Sequence, residues 1–183
     1  MPIVQPVMSD PFVDGRQSER ALAVQRGLER HFHEQGWVTL AEVTLGGGAR
    51  GAGRRADLVA LSPKSAIVIV EIKSSVADLR ADAKWPDYRA HCDKLYFATL
   101  MDVPEAIFPE DAGLLVADGY GADVLREAPS HPLSPAARRK QLLRFARHAA
   151  RRLTRLSAHA GIDPADLGEP HDGDDAQPTA LFG

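Results

Sequence analysis

The strongest hydrophobic pattern in the chain is an unbroken apolar run, Ala66-Ile67-Val68-Ile69-Val70, that continues into Glu71-Ile72-Lys73. Such a run, rich in β-branched residues, predicts a strand. Upstream, Arg55-Ala56-Asp57-Leu58-Val59-Ala60-Leu61 predicts another, and Ser62-Pro63-Lys64-Ser65 is the turn that joins them into a hairpin. Residues 37–45 predict a strand ahead of it, followed by the flexible turn Gly46-Gly47-Gly48. A helix is predicted over 17–35: Ser18 caps it, Leu22, Leu28 and Phe32 mark its apolar side, and Gly36 ends it. Residues 76–93 are helical in composition but broken by Pro86. Strands are predicted over 95–100 and 113–117, and an edge strand over 122–126. A long last helix starts at Pro135, a good first-turn residue, and runs to His159, ahead of Gly161.

The order is therefore one helix, three strands, a helix, a strand and later additions, which predicts an α/β or α+β domain. At 183 residues and 44% hydrophobic content the chain suffices for one ordinary domain with a core. The predicted division is an irregular arm over 1–14 with three prolines, a domain over 15–160 that includes the helix 135–159, and an acidic disordered tail over 161–183. No stretch approaches the ~20 apolar residues of a membrane span, and no secretory leader is visible. The single cysteine, Cys92, excludes an internal disulfide framework and fits a reducing cytoplasm. It lies among Tyr88, Leu95 and Phe97, the setting of an inert core thiol rather than a nucleophile.

Charges inside so apolar a strand change the picture. Burying Glu71 or Lys73 unpaired would cost several kcal/mol, a large part of a domain's stability. Side chains at i and i+2 share a face of a strand, so these two point the same way. With the loop centred on Lys64, Asp57 stands directly across from Glu71 on that face. Cross-strand neighbours have Cβ atoms about 4.5–5.5 Å apart, and two carboxylates that close call for a cation. A hard divalent ion with oxygen ligands, Mg²⁺ or Mn²⁺, suits them. Lys73 would stand beside its water or a phosphate oxygen. The bland reading is an ion pair at a strand end.

The net charge of −3 divides unevenly. Residues 134–162 hold eight Lys or Arg and no acidic residue, whereas 163–183 hold six Asp or Glu and no Lys or Arg; without the tail the charge is +3. In the last helix, Leu142, Ala146, Ala149, Leu153 and Leu156 form one stripe, and Lys140, Arg144, Arg147, Arg151 and Arg155 form another about 180° away at 100° per residue. The expectation is a helix glued by its leucines and basic outside, fit for phosphate contacts without sequence preference. The acidic tail would either compete with phosphates for those arginines or serve as a solubility tail without contact to the domain.

Asp57, thirteen residues and then Glu71-Ile72-Lys73 resemble the PD-(D/E)XK nuclease signature, with Ala56 where the name puts proline. A longer set of segments resembles the MmcB family of bacterial DNA-repair proteins over roughly residues 20–156. They are Arg55-Ala56-Asp57, Glu71-Ile72-Lys73-Ser74-Ser75, Asp82-Ala83-Lys84-Trp85-Pro86-Asp87-Tyr88, His91-Cys92-Asp93-Lys94-Leu95-Tyr96-Phe97-Ala98, Phe108-Pro109-Glu110 and Gly113-Leu114-Leu115-Val116-Ala117-Asp118. The resemblance implies a restriction-endonuclease-like αβββαβ core with a mixed sheet flanked by helices, plus the long C-terminal basic helix. It implies a Mg²⁺- or Mn²⁺-dependent DNA endonuclease acting in repair, alone or with other repair proteins. Asp57, Glu71 and the Ile72 carbonyl would be metal ligands, and Lys73 would orient water or stabilise charge. Such enzymes often add an acidic residue from the first helix; Glu19 fits by position, but Glu42, flanked by Leu40, Ala41 and Val43, is the preferred catalytic candidate. Lys84 is a candidate phosphate contact, Trp85 and Tyr88 are expected to pack on the sheet, and His91 is expected to be structural. Two rivals share these features: a non-catalytic module for DNA or a repair partner, and an RNA-directed nuclease.

Overall fold

The structure, a computed structural model, describes residues 18–46, 53–81 and 85–163. The arm 1–14, Lys84 and the tail beyond Asp163 lie outside the described residues. Among the described residues six strands form one mixed sheet in chain order: β1 (Val38–Leu45), β2 (Arg54–Leu61), β3 (Ile67–Ile72), β4 (Lys94–Thr99), β5 (Gly113–Ala117) and β6 (Ala122–Arg126). The first three are antiparallel neighbours, β3, β4 and β5 run parallel, and β6 returns antiparallel at the edge. Three helices accompany them: α1 (Glu19–Glu34), the short α2 (Val76–Ala81) and α3 (Pro135–Ala160). A 3₁₀ turn over Trp85–His91 follows α2, and the two together make the crossover from β3 to parallel β4. This is the α/β architecture expected from the sequence, with a mixed sheet flanked by helices.

The element ends follow local chemistry. Ser18 accepts from the Ala21 N–H to cap α1, and Ser134 does the same for α3 through Ala137, with Pro135 in its first turn. Gly161 closes α3 at φ 66°, a left-handed conformation cheap only for glycine. In the β2–β3 hairpin Ser62 Oγ accepts from the Ala66 N–H, and Ser65 takes the left-handed position of the turn.

Burial on both sides of the sheet fixes where the charged residues go. On one side Val24, Leu28 and Phe32 of α1 pack on Leu58, Val70, Ile72, Tyr96 and Leu115. On the other, Ile67, Ile69, Val59 and Leu95 pack under Tyr88, Leu142 and Phe145, and next to them Phe97 and Leu114 meet Leu79, Trp85 and Phe108. By alternation, Asp57, Glu71 and Lys73 belong to this second side. Trp85 meets Phe97 edge-on, with ring centroids 5.6 Å apart, and Tyr88 is buried, so both pack onto the sheet. Among the described residues no helix is long and apolar enough to cross a membrane.

One expectation needs correction. Of the leucine stripe of α3 only Leu142 packs on the core, while Leu153 and Leu156 are nearly half exposed. The helix instead turns Gln141, Leu142, Phe145, His148 and Arg152 inward, roughly a quarter turn away at 100° per residue. The reason lies in what it covers. β1 is the sheet's edge, and α3 lays polar side chains along its last residues. Arg144 lies against Gly46, where a β-carbon would come within 2.6 Å of its guanidinium, His148 bonds the Thr44 backbone, and Arg152 donates to the Glu42 carbonyl at 3.0 Å. A four-residue step along the helix (~6 Å) thus matches a pair of strand residues (~6.6 Å). An edge strand offers unpaired backbone groups, and side-chain donors are a way to satisfy them.

Candidate carboxylate site and basic helix

The β2–β3 register pairs Leu58 with Val70 and Leu61 with Ile67. One step further along this register, Asp57 faces Glu71, as the hairpin predicted. The regular ladder stops there, and the side chains replace it. Asp57 Oδ2 accepts from the Ile72 N–H at 2.8 Å, and Glu71 Oε1 accepts from the Asp57 N–H at 3.3 Å. Lys73 Nζ lies 3.8 Å from Glu71 Oε2. Glu71 is 3% and Lys73 6% exposed, so this is a buried ion pair and not a surface one.

The ladder is open on the other side of Asp57 too. β1 and β2 pair through Ala41↔Leu58 and resume at Val43↔Ala56, with no pair at Glu42 and Asp57. Glu42 has φ 53°, left-handed for a residue with a side chain, at a cost of about 1–2 kcal/mol. The core explains it: Leu40 and Val43, three apart, both pack into the same cluster, so the alternation must slip one step between them. The Glu42 carboxylate pairs with Arg55. Three acidic residues therefore occupy neighbouring positions on three strands, in a local opening of the sheet.

The electrostatics follow from that crowding. Burial pushes the Asp57 carboxyl up to about 6; the Ile72 N–H and the Lys73 charge pull it down, and Glu42 and Asp78 push it up further. A cation would relieve this cost. Asp78 escaped the sequence reading, although Ser75-Val76-Ala77-Asp78 has capping-box spacing; Ser75 Oγ accepts from the Asp78 N–H, and Asp78 Oδ2 accepts from the Ser74 N–H. Among the described residues no group of three or more His, Cys, Asp or Glu is placed to hold a metal ion. The facing pair Asp57 and Glu71 still fits Mg²⁺ or Mn²⁺ in donor type, because a small hard ion often takes one or two protein carboxylates and completes its shell with water and phosphate. Glu19 is exposed at the start of α1, the helix on the other side of the sheet, whereas Glu42 is electrostatically linked to Asp57.

Of the predicted phosphate contacts, Lys140, Arg147, Arg151 and Arg155 are exposed on α3. Arg144 is not on that free row. It is half-buried, bonds Gln141 at 2.8 Å and has its pKa lowered by burial. His91 is buried and shares a 2.7 Å hydrogen bond with Gln141, a structural role. Cys92 is buried with its thiol pushed up to about 12 by desolvation, so it should resist alkylation in the folded protein and react fully in denaturant, as a mass-resolved thiol assay would show.

The sequence matches the family model of MmcB-like DNA repair proteins over residues 8–160. Among solved structures it is similar to a protein of unknown function from Silicibacter pomeroyi, with 39% identity and a TM-score of 0.71 over 81% of this chain and 99% of that one. No curated protein matches it in sequence. With the match spanning most of the chain and taking in Asp57, Glu71, Lys73 and α3, the chain belongs to the MmcB-like DNA repair protein family.

Proposed function

We propose that this DNA repair protein is a divalent-cation-dependent endonuclease of PD-(D/E)XK type that hydrolyses DNA phosphodiester bonds with little sequence preference. The observation that carries the reading is the buried constellation itself: Asp57 facing Glu71 across a hairpin, with Lys73 Nζ 3.8 Å from Glu71. Asp57, Glu71 and the Ile72 carbonyl would hold Mg²⁺ or Mn²⁺, which when bound neutralises phosphate charge and acidifies a water molecule. Lys73 would orient the attacking water or offset charge growing on the phosphate. Glu42 adds negative charge beside Asp57 and so favours retention of a cation. The ion pair with Glu71 keeps the Lys73 chain fixed before substrate arrives, which lowers the entropy cost of orienting it.

Substrate would be held by phosphate contacts from Lys140, Arg147, Arg151 and Arg155, with Lys84 as a further candidate. Neutralising Arg147, Arg151 and Arg155 should weaken binding equally for unrelated sequences. It should also flatten the plot of log affinity against log salt by about 0.9 per lost contact on duplex DNA. Arg144→Ala should leave that slope unchanged, because its guanidinium faces Gln141 and Gly46.

A non-catalytic DNA-binding module is the second reading. It is favoured by the backbone N–H partners that Asp57 and Glu71 already have, and by the lack of a three-residue metal cluster among the described residues. Incubation with nicked, branched, flapped and single-stranded DNA, and with RNA, in Mg²⁺ or Mn²⁺ separates the readings. Cation-dependent cleavage of a DNA substrate supports the endonuclease; binding without cleavage across the panel supports the module.

A further inference from the structure

The same helix that presents the exposed basic row reaches the carboxylate site from its inner side. Arg152 is half-buried on α3 and its Nη2 donates to the backbone carbonyl of Glu42 at 3.0 Å. Glu42 has left-handed backbone and makes no ladder pair with Asp57. Arg152 supplies that carbonyl with a donor from α3. On the neighbouring position of the helix, Arg151 points outward into solvent.

We infer that Arg152 is a positioning residue for the carboxylate site. Its guanidinium holds the Glu42 peptide in the left-handed conformation that keeps the carboxylate beside Asp57, and it ties the phosphate-facing row of α3 to that site. Strained backbone persists only where its surroundings over-determine it. Packing of Leu40 and Val43 supplies part of that determination, and the Arg152 bond supplies another part.

The activity arm of the test rests on the endonuclease reading, and the structural arm does not. Arg152→Ala, Arg152→Lys and Arg151→Ala are compared in the full chain, with melting curves to verify folding. The ³J(HN–Hα) coupling and ¹³C shifts of Glu42, which report its φ, are read first. Arg152→Ala should move them toward extended values, Arg152→Lys should restore them in part, and Arg151→Ala should leave them alone. Titration of Mn²⁺ into DNA-free protein, followed by electron paramagnetic resonance, should show weaker binding for Arg152→Ala by about tenfold, the usual cost of losing an outer-shell partner. Turnover should fall with it while KM stays within about twofold; Arg151→Ala should instead raise KM and spare turnover. Left-handed values of Glu42 retained in folded Arg152→Ala overturn the inference whatever the activity. Wild-type protein that cuts nothing, with Glu42 still displaced in Arg152→Ala, overturns the endonuclease reading and leaves the positioning role standing.

Discussion

Asp57→Ala, Glu71→Ala and Lys73→Ala should each remove cation-dependent cleavage, by roughly 10²–10³-fold or more, the scale on which single charge-stabilising groups act. The three act as a unit. Asp57 and Glu71 are cross-strand partners: Glu71 accepts from the Asp57 N–H, Asp57 accepts from the Ile72 N–H beside Glu71, and Lys73 pairs with Glu71. Removing one leaves the other two without their geometry, so the double variants should lose no more than the singles. Glu71→Gln separates charge from shape: it keeps an acceptor for the Asp57 N–H but removes the charge that Lys73 Nζ faces at 3.8 Å. Circular dichroism and melting curves must show each variant folded. A purified Glu71→Ala protein that still cuts near the wild-type rate with Mg²⁺ or Mn²⁺ would remove this site from the chemistry.

What made that site legible is the simplicity of a hairpin. A turn centred on Lys64 fixes the register arithmetically, and a one-step slip would turn Glu71 and Lys73 toward the apolar face under α1. Helix ends were equally legible, because Ser18, Pro135 and Gly161 each have one local role. The packed face of α3 was not. Hydrophobic periodicity presumes that helices bury apolar residues, and this one buries Gln141, His148 and Arg152 because it serves the backbone groups of an edge strand. Nor was the backbone of Glu42 legible. No glycine or asparagine marks it, and the cause is a conflict between Leu40 and Val43 over one cluster. Residue Asp93 shows the same limit in another way. It was visible as part of a segment but not as a hub, since its partners lie 26, 40 and 45 positions away.

Replacing Asp93 should cost more stability than any substitution at the carboxylate site. Its carboxylate accepts from the Ile67 N–H at 2.8 Å, the Leu133 N–H at 2.9 Å and both terminal nitrogens of Arg138 at 2.7 Å. Its own carbonyl takes the His131 N–H, and Arg138 also reaches the Ser65 carbonyl at 2.6 Å. One side chain thus joins the start of β3, the loop before α3 and the first turns of α3. Asp93→Ala would leave two backbone donors unsatisfied and take the carboxylate from the Arg138 guanidinium in a mostly buried place, a loss of about 3–5 kcal/mol on the scale of broken buried pairs. Asp93→Asn keeps the shape and one acceptor and should lose less. Arg138 and the two N–H groups together outweigh burial and hold the Asp93 carboxyl below its ordinary range. A carboxylate with a depressed folded pKa stabilises above its unfolded value and loses that contribution as pH falls through the folded one. Wild-type protein should therefore lose stability from about pH 4 downward more steeply than Asp93→Asn. Urea denaturation of both proteins across that range measures it. Parallel pH curves, or an Asp93→Ala protein within about 1 kcal/mol of wild type, would mean that the clasp adds little and that the other contacts of α3 hold it in place.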